Sequence, residues 1–291
     1  MYTVKHAATL TGIPADTLRV WERRYGVVSP ARSEGGYRLY DDASLRRLRA
    51  MGALVGAGWS ARQAAARVLA DEEAGTDDAP DPGVTPIGDV DALARVAATF
   101  DVAGLDAALD AGFALGTFEE VVDGWLMPSL LRLGAAWRHG AVLVAGEHLV
   151  SASVQRRLAA AYDAAGPVGG GPRVVVGLAR GSRHELGVLA FATALRRAGG
   201  DVVYVGGDLP PDGWVAVVAE QRPAAAVLGV PSSDDVVAVR ETVAALAAAH
   251  PDLPVNVGGG HQHAVSGAHR LGHLVGPAAA ALAADLADGL A

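Results

Sequence analysis

The sequence predicts a multidomain chain. It has an α-helical winged helix-turn-helix head, a central four-helix bundle and a C-terminal α/β doubly wound (flavodoxin-like) domain on a parallel five-stranded sheet. Three observations predict it. Near the start, two helical stretches flank a short turn that holds a glycine. From Val90 to about Ala165 apolar residues recur at helical spacing throughout. Beyond GPVGGGP, Gly166 to Pro172, the period changes to short apolar runs alternating with helical stretches.

The head is read first. Thr3 can cap a helix from Val4 to about Leu10, and Thr11-Gly12-Ile13-Pro14 forms a tight turn. A second helix from about Ala15 to Tyr25 bears Arg19, Arg23 and Arg24. Next, SPARSEGGYRLYD places Gly35-Gly36 at a hairpin-like turn flanked by Arg32, Tyr37, Arg38 and Tyr40, the composition of a wing. Two further helices are expected, about Asp42 to Val55 and Ser60 to Leu69.

Residues 71–90 are rich in Asp, Glu, Pro and Gly and read as linker. The predicted domains are head 1–72, linker 73–88, bundle 89–166 and sheet domain 172–291. In the last, RVVVGLA, DVVYVGG, AAAVLGV, LPVNVGG and GHLVGP suit buried parallel strands. Helices are expected at Glu185 to Ala198, Asp212 to Gln221, Asp234 to Ala249 and Ala278 to Leu290, with a shorter one within His261 to Ala268. Ligands of such sheets sit beyond the carboxyl ends of the strands.

Composition bounds the function. The chain has no cysteine, which excludes disulfide and thiolate chemistry. It has no apolar run long enough to span a bilayer and no signal-peptide pattern at its start, so a cytoplasmic place and no membrane partner are expected. Of 24 Lys and Arg and 32 Asp and Glu, residues 1–70 hold 11 and 5. A head of charge +6 on a remainder of −14 points to one end that binds a polyanion.

TLRVWERRYGVVSPARSEGGYRLYDDASLRRL, with the helices around it, resembles the signature of MerR-family winged helix-turn-helix regulators. The resemblance covers roughly the first seventy residues. It implies a dimeric regulator on a near-palindromic double-stranded operator, with RNA polymerase a candidate partner. It makes Arg19, Trp21, Arg23, Arg24, Arg32, Tyr37 and Arg38 candidate DNA contacts. The residues themselves leave Trp21 and Tyr25 open between core and DNA, and allow some arginines to pair with Glu22 or Glu34. Many relatives dimerise through a long helix after the wing. The linker here puts dimerisation elsewhere.

The predicted sheet's rim carries the second candidate site. The first βα loop, ARGSRHELG, holds His184 and Gly187 as His-x-x-Gly. A neutral imidazole there is a competent axial ligand for cobalt, and Gly187 leaves room for a large macrocycle. Ser232 and Ser233 follow the third strand, and Gly258, Gly259 and Gly260 follow the fourth. Taken singly, the histidine could be a surface residue and the glycines a tight turn. The missing G-x-G-x-x-G argues against a dinucleotide site. Together they resemble the cobalamin-binding domain of methionine synthase, mutases and corrinoid proteins. That resemblance implies His184 as lower cobalt ligand, Ser232 or Ser233 on the nucleotide tail and Gly258 and Gly259 lining its channel. Ser182 stands where that family has an acid that orients the histidine.

In the bundle, Trp137, Glu147 and His148 form Trp-x9-Glu-His. A tryptophan can cover one side of a flat cofactor, or be ordinary core. Set between the head and the cobalamin fold, the motif resembles the light-responsive CarH and LitR repressor family. This implies adenosylcobalamin in the dark, with Trp137, Glu147 and His148 around the adenosyl group. It implies a self-assembled tetramer that light takes apart, with Arg183 and Asp208 in the interface between copies. Several such repressors carry, directly after the Trp, a His that ligates cobalt after photolysis. Here Arg138 follows and His139 comes one place later, rotated by about 100° on a helix. His139 and His148 are thus the candidate upper ligands. Three alternatives stand beside this reading. They are a regulator using another effector or none (a bilin is one chromophore such modules hold), a corrinoid carrier for methyl transfer, and a metal sensor built on His261, His263, His269 and His273. The leading reading is regulation without catalysis.

Overall fold

The computed structural model describes residues 2–32, 36–56, 58–74, 84–166 and 170–288. Gly35 of the wing turn, residues 75–83 of the linker and 167–169 of the glycine-rich break lie outside them. The chain forms two compact units. The first is Met1–Asp78, Val90–Ala108 and Ser129–Val150, and the second is Ala79–Asp89, Leu109–Pro128 and Ser151–Ala291.

In the first unit, β1 (Tyr2–Thr3) leads into α1 (Val4–Thr11), where the Thr3 hydroxyl accepts the His6 N–H. Gly12 ends α1 at φ 71°, which suits a residue without Cβ. After Pro14, α2 (Ala15–Tyr25) runs to Gly26, also left-handed at φ 64°. β2 (Ala31–Arg32) and β3 (Arg38–Tyr40) form the expected wing. β1 was not expected. It pairs Tyr2 with Tyr40, and two residues are too few to show an alternating pattern. α3 (Asp42–Gly56) and α4 (Ala61–Ala74) follow, and Ser60 and Gln63 cap α4 reciprocally. Leu18, Trp21, Tyr40, Leu48 and Met51 are buried together as the core. Each contributes on the order of 1.5–3 kcal/mol by leaving water. Trp21, a candidate DNA contact, therefore belongs to the core.

Four helical segments make up residues 92–164: α5 (Ala92–Thr99), α6 (Val102–Phe113), a long third segment and α9 (Val144–Ala164). The third runs from α7 (Phe118–Val121) through a π turn, Val122–Leu126, into α8 (Met127–Arg138). Trp125 in that turn is buried, donates its indole N–H to the Asp89 carbonyl at 3.1 Å and meets Phe113 edge-on. A Cβ on Gly112 would overlap its ring at 2.2 Å, so only glycine fits there.

In the second unit, β4 (Arg173–Ala179), α10 (Glu185–Arg197), β5 (Asp201–Leu209), α11 (Pro211–Gln221) and β6 (Ala225–Gly229) alternate. Then come α12 (Val236–Ala249), β7 (Val255–Gly258), β8 (His269–Arg270) and α13 (Val275–Asp288). All five strands are parallel in the order β5-β4-β6-β7-β8, the flavodoxin-like arrangement. The period of two explains the layers. Val174, Val176 and Leu178 of β4 pack with Phe191 and Leu195 of α10 and Leu282 of α13. Val175 and Ala179 pack on the opposite face with Trp214, Val218, Val239 and Leu246 of α11 and α12.

One strand lies elsewhere than predicted. GHLVGP is not the fifth strand: β8 is His269–Arg270, and Val275 already starts α13. The reason is a long-range cap. Asp123 of the π turn accepts the N–H groups of Val275 and Gly276 at 2.7 and 2.9 Å, which fixes a helix start there. Pro277 suits a first turn, where its missing N–H costs nothing. The expected short helix within 261–268 is a single 3-10 turn, Gln262–Ala264.

Candidate functional site

The C-terminal rim of the sheet carries the predicted loop residues. β4 ends at Ala179, and the loop to α10 leaves His184 exposed at the N-cap position. Its imidazole makes no hydrogen bond or ion pair among the described residues, so it is available to a ligand. A Cβ on Gly187 would meet nothing within 4 Å, and one on Gly258 only Leu271 at 4.0 Å. Packing within the chain does not require these two glycines, which leave open space on the rim. Gly259 differs. It sits at φ 104°, and a Cβ there would lie 2.8 Å from the Val230 carbonyl oxygen. Ser232 donates its hydroxyl to buried Asp235 at 2.7 Å in a capping box around Ser233–Asp235. The Ser232 hydroxyl is thus held locally, and Ser233 lies beside it.

The β5 end braces the His184 loop. Asp208 adopts a left-handed φ of 57°, unusual for a residue with a side chain. Its carboxylate accepts the Gly181 N–H at 2.7 Å, and its own N–H donates to the Ser182 carbonyl at 2.9 Å. Arg183 pairs with Asp208 at 3.6 Å within one chain, and both side chains are accessible. Ser182 is buried, and its hydroxyl has no partner among the described residues. Tyr204 of β5 donates to Glu185 at 2.9 Å. Burial and then the Glu185 bond push its phenol well above the ordinary range. Neither Tyr204 nor Glu185 was singled out from sequence. YVGGD was the available signal, a polar ending on an apolar strand.

Trp137, Glu147 and His148 belong to the first unit. Trp137 packs against the core of Leu18, Leu48 and Met51, and its indole N–H is buried with no partner among the described residues. It lines a cavity of about 800 Å³ with Thr11, Ile13, Arg49, Gly52 and His148. Glu147 and exposed His148 are joined at 2.7 Å. His139 follows the last residue of α8, exposed, with its N–H still bonded to Ala135. The structure thus brings Trp137 and His148 to one cavity, and Glu147 to His148.

On the head, Arg19, Arg23 and Arg24 are exposed on α2, and Arg32 and Tyr37 are exposed on the wing. Arg19 pairs with Asp16 at 2.9 Å, and Arg32 reaches the Gly36 carbonyl at 3.3 Å. Arg38 pairs with Glu22 at 2.7 Å, tying wing to helix. That bond and the Glu22 charge raise the Arg38 pKa further. Among the described residues no cluster of three or more His, Asp or Glu could hold a metal ion, so the four late histidines form no such centre.

An arginine-bearing helix and wing, with a rim holding an unpaired imidazole and unfilled space, define a DNA-binding regulator with a ligand-binding body. Residues 2–70 match the MerR HTH family regulatory proteins, and residues 90–162 and 172–284 each match a B12 binding domain. The chain is 33% identical over 271 residues to the HTH-type transcriptional repressor CarH of Myxococcus xanthus, covering 89% of this chain and 88% of that protein. It is 32% identical over 227 residues to the repressor CarA of the same organism, covering 76% and 73%. The chain belongs to this family of MerR-type, B12-binding transcriptional repressors. These relatives are regulators rather than enzymes, in keeping with the reading of the head. In fold it is similar to the Methanosarcina barkeri monomethylamine corrinoid protein, with TM-score 0.53 and 16% identity over 67% of this chain and 97% of that one.

Proposed function

We propose that this protein represses transcription from an operator it grips when adenosylcobalamin is bound, and that light releases it. The observation that carries the proposal is Trp137. The residue read as the cofactor's cap is packed on the core of the DNA-binding unit. A ligand that engages Trp137 therefore acts on a residue of that unit. The rim suits a corrin: among the described residues His184 has no partner, and a Cβ on Gly187 would meet nothing within 4 Å and one on Gly258 only Leu271 at 4.0 Å. When bound, adenosylcobalamin supplies a photolabile cobalt–carbon bond. His184 would ligate the cobalt, while Ser232 or Ser233 with Gly258 and Gly259 would take the nucleotide tail. Trp137, Glu147 and His148 would contact the adenosyl group, and His148 or His139 would be the cobalt ligand available once that group is lost.

Arg183 and Asp208, both accessible, contribute to contacts between copies in a tetramer. Binding favours the assembled form, and grouping several basic heads raises avidity for DNA. Arg19, Arg23, Arg24, Arg32, Tyr37 and Arg38 face the operator, and neutralising Glu22 frees Arg38 for it.

The test is an absorption spectrum of the loaded protein before and after green light, with size and operator binding measured alongside. The proposal expects a spectral change, a smaller particle and lost operator binding. An unchanged spectrum with unchanged binding overturns it. A bilin would declare itself by a red-region band that survives removal of cobalamin.

A further inference from the structure

Ser182 occupies the place of an orienting acid, yet its buried hydroxyl has no partner among the described residues and carries no charge. The structure supplies a different carboxylate. Glu185 directly follows His184 and opens α10. A first-turn acid normally needs no partner beyond the helix dipole. This one accepts the Tyr204 hydroxyl at 2.9 Å, which fixes it against β5.

The β5 end is shaped around it. A Cβ on Gly207 would lie 3.2 Å from one Glu185 carboxylate oxygen and 2.9 Å from the Ser182 carbonyl oxygen. A Cβ on Gly206 would lie 3.6 Å from the other carboxylate oxygen. Gly207 therefore makes room for the loop and the carboxylate, and Gly206 beside it takes a left-handed φ of 75°. Tyr204 is itself set by Tyr162 of α9, ring to ring at 5.9 Å, and the Tyr162 hydroxyl donates to the Val202 carbonyl at 2.9 Å. One strand end thus grips the His184 loop on both sides. Asp208 holds Gly181 and Ser182, and Tyr204 holds Glu185.

We infer that Glu185, locked by Tyr204, is a positioning residue that fixes the loop carrying His184, where Ser182 supplies no carboxylate. This rests on His184 as cobalt ligand. A carboxylate anchored at the residue next to the ligand limits the freedom of the loop that carries His184. Tyr204 and Glu185 touch no substrate and act through the loop.

The experiment uses the full chain labelled with 15N-histidine, with cob(II)alamin as probe. Electron paramagnetic resonance of bound cob(II)alamin distinguishes labelled protein nitrogen from the cofactor's own unlabelled base. Hydrogen exchange of residues 180–187 is followed in the cofactor-free chain. Wild type is expected to show the labelled-histidine splitting. Tyr204→Phe and Glu185→Gln are each expected to speed exchange of the loop and to weaken cobalamin binding about 10- to 100-fold, as loss of an outer partner does at metal sites. Both single variants are also expected to show less of the labelled-histidine splitting than wild type. Wild-type exchange and splitting in both single variants overturn the inference. A wild-type chain that binds no cobalamin overturns the functional reading instead, and loop exchange still decides whether Tyr204 and Glu185 hold the loop.

Discussion

Gly187 and Gly259 lie on the same rim and carry opposite expectations. Gly187 lies inside α10 with open space where a Cβ would point. Gly187→Leu removes a glycine from the first turn of the helix and is expected to leave stability unchanged or raise it by at most about 0.5–1 kcal/mol. The same substitution fills the rim and is expected to weaken cobalamin uptake by at least tenfold in a spectral titration. Gly259→Ala places a side chain at φ 104° against the Val230 carbonyl and is expected to cost about 1–3 kcal/mol in urea unfolding. A Gly187 variant that unfolds early would mean the position serves packing. The arginines divide in the same way. Arg23 and Arg24 are exposed, whereas Arg38 is held by Glu22. Arg23→Ala and Arg24→Ala should each reduce the slope of log affinity for operator against log salt by about one. An unchanged slope would remove that residue from the phosphate contacts.

Among the elements, the π turn in the α7–α8 segment has the most tertiary consequence. It turns Asp123 towards the start of α13, where two backbone N–H groups need acceptors. Asp123→Ala orphans both and is expected to cost about 1–3 kcal/mol. Burial raises the Asp123 pKa, against the two amide bonds that lower it. A raised folded pKa means its contribution is fully present below the ordinary carboxylate range and lost as pH rises through the folded value. The stability of wild type relative to Asp123→Asn should therefore improve as pH falls from 7 towards 4 in urea unfolding at each pH. Legibility follows the same division. α2 was read at its observed bounds because Pro14 and Gly26 punctuate it locally. β8 was misplaced because its two exposed residues show no pattern, while the cap that starts α13 comes from 152 residues away. The positions of His184 and Ser232 after the ends of β4 and β6 were legible from the alternation of strands and helices. Tyr204 was not, because its role depends on a strand pairing that brings Gly206 and Gly207 against Glu185. Glu22 was named as a partner, but sequence alone could not choose between it and DNA for Arg38.

Across the whole molecule, a head of charge +6 accompanies a remainder of −14, so attraction to DNA is local to the head. Under the proposed function, control reaches the unit that carries the head. Trp137 already lies in that unit, half-buried against its core, with an indole N–H that has no partner among the described residues and a neighbouring cavity that includes Ile13 of the helix-turn-helix turn. Trp137→Ala removes that packing and is expected to lower the first unit's stability by about 3 kcal/mol. Trp137→Phe keeps most of the apolar contact and is expected to cost much less. The two variants separate packing from control. If Trp137 reports cofactor occupancy to the head, Trp137→Phe still binds operator in low salt, but its affinity changes little when adenosylcobalamin is added or illuminated. The measurement is operator affinity in four states: cofactor absent or present, dark or lit. A Trp137→Phe protein that matched wild type in all four would leave Trp137 as a packing residue and shift the burden of control to Glu147 and His148.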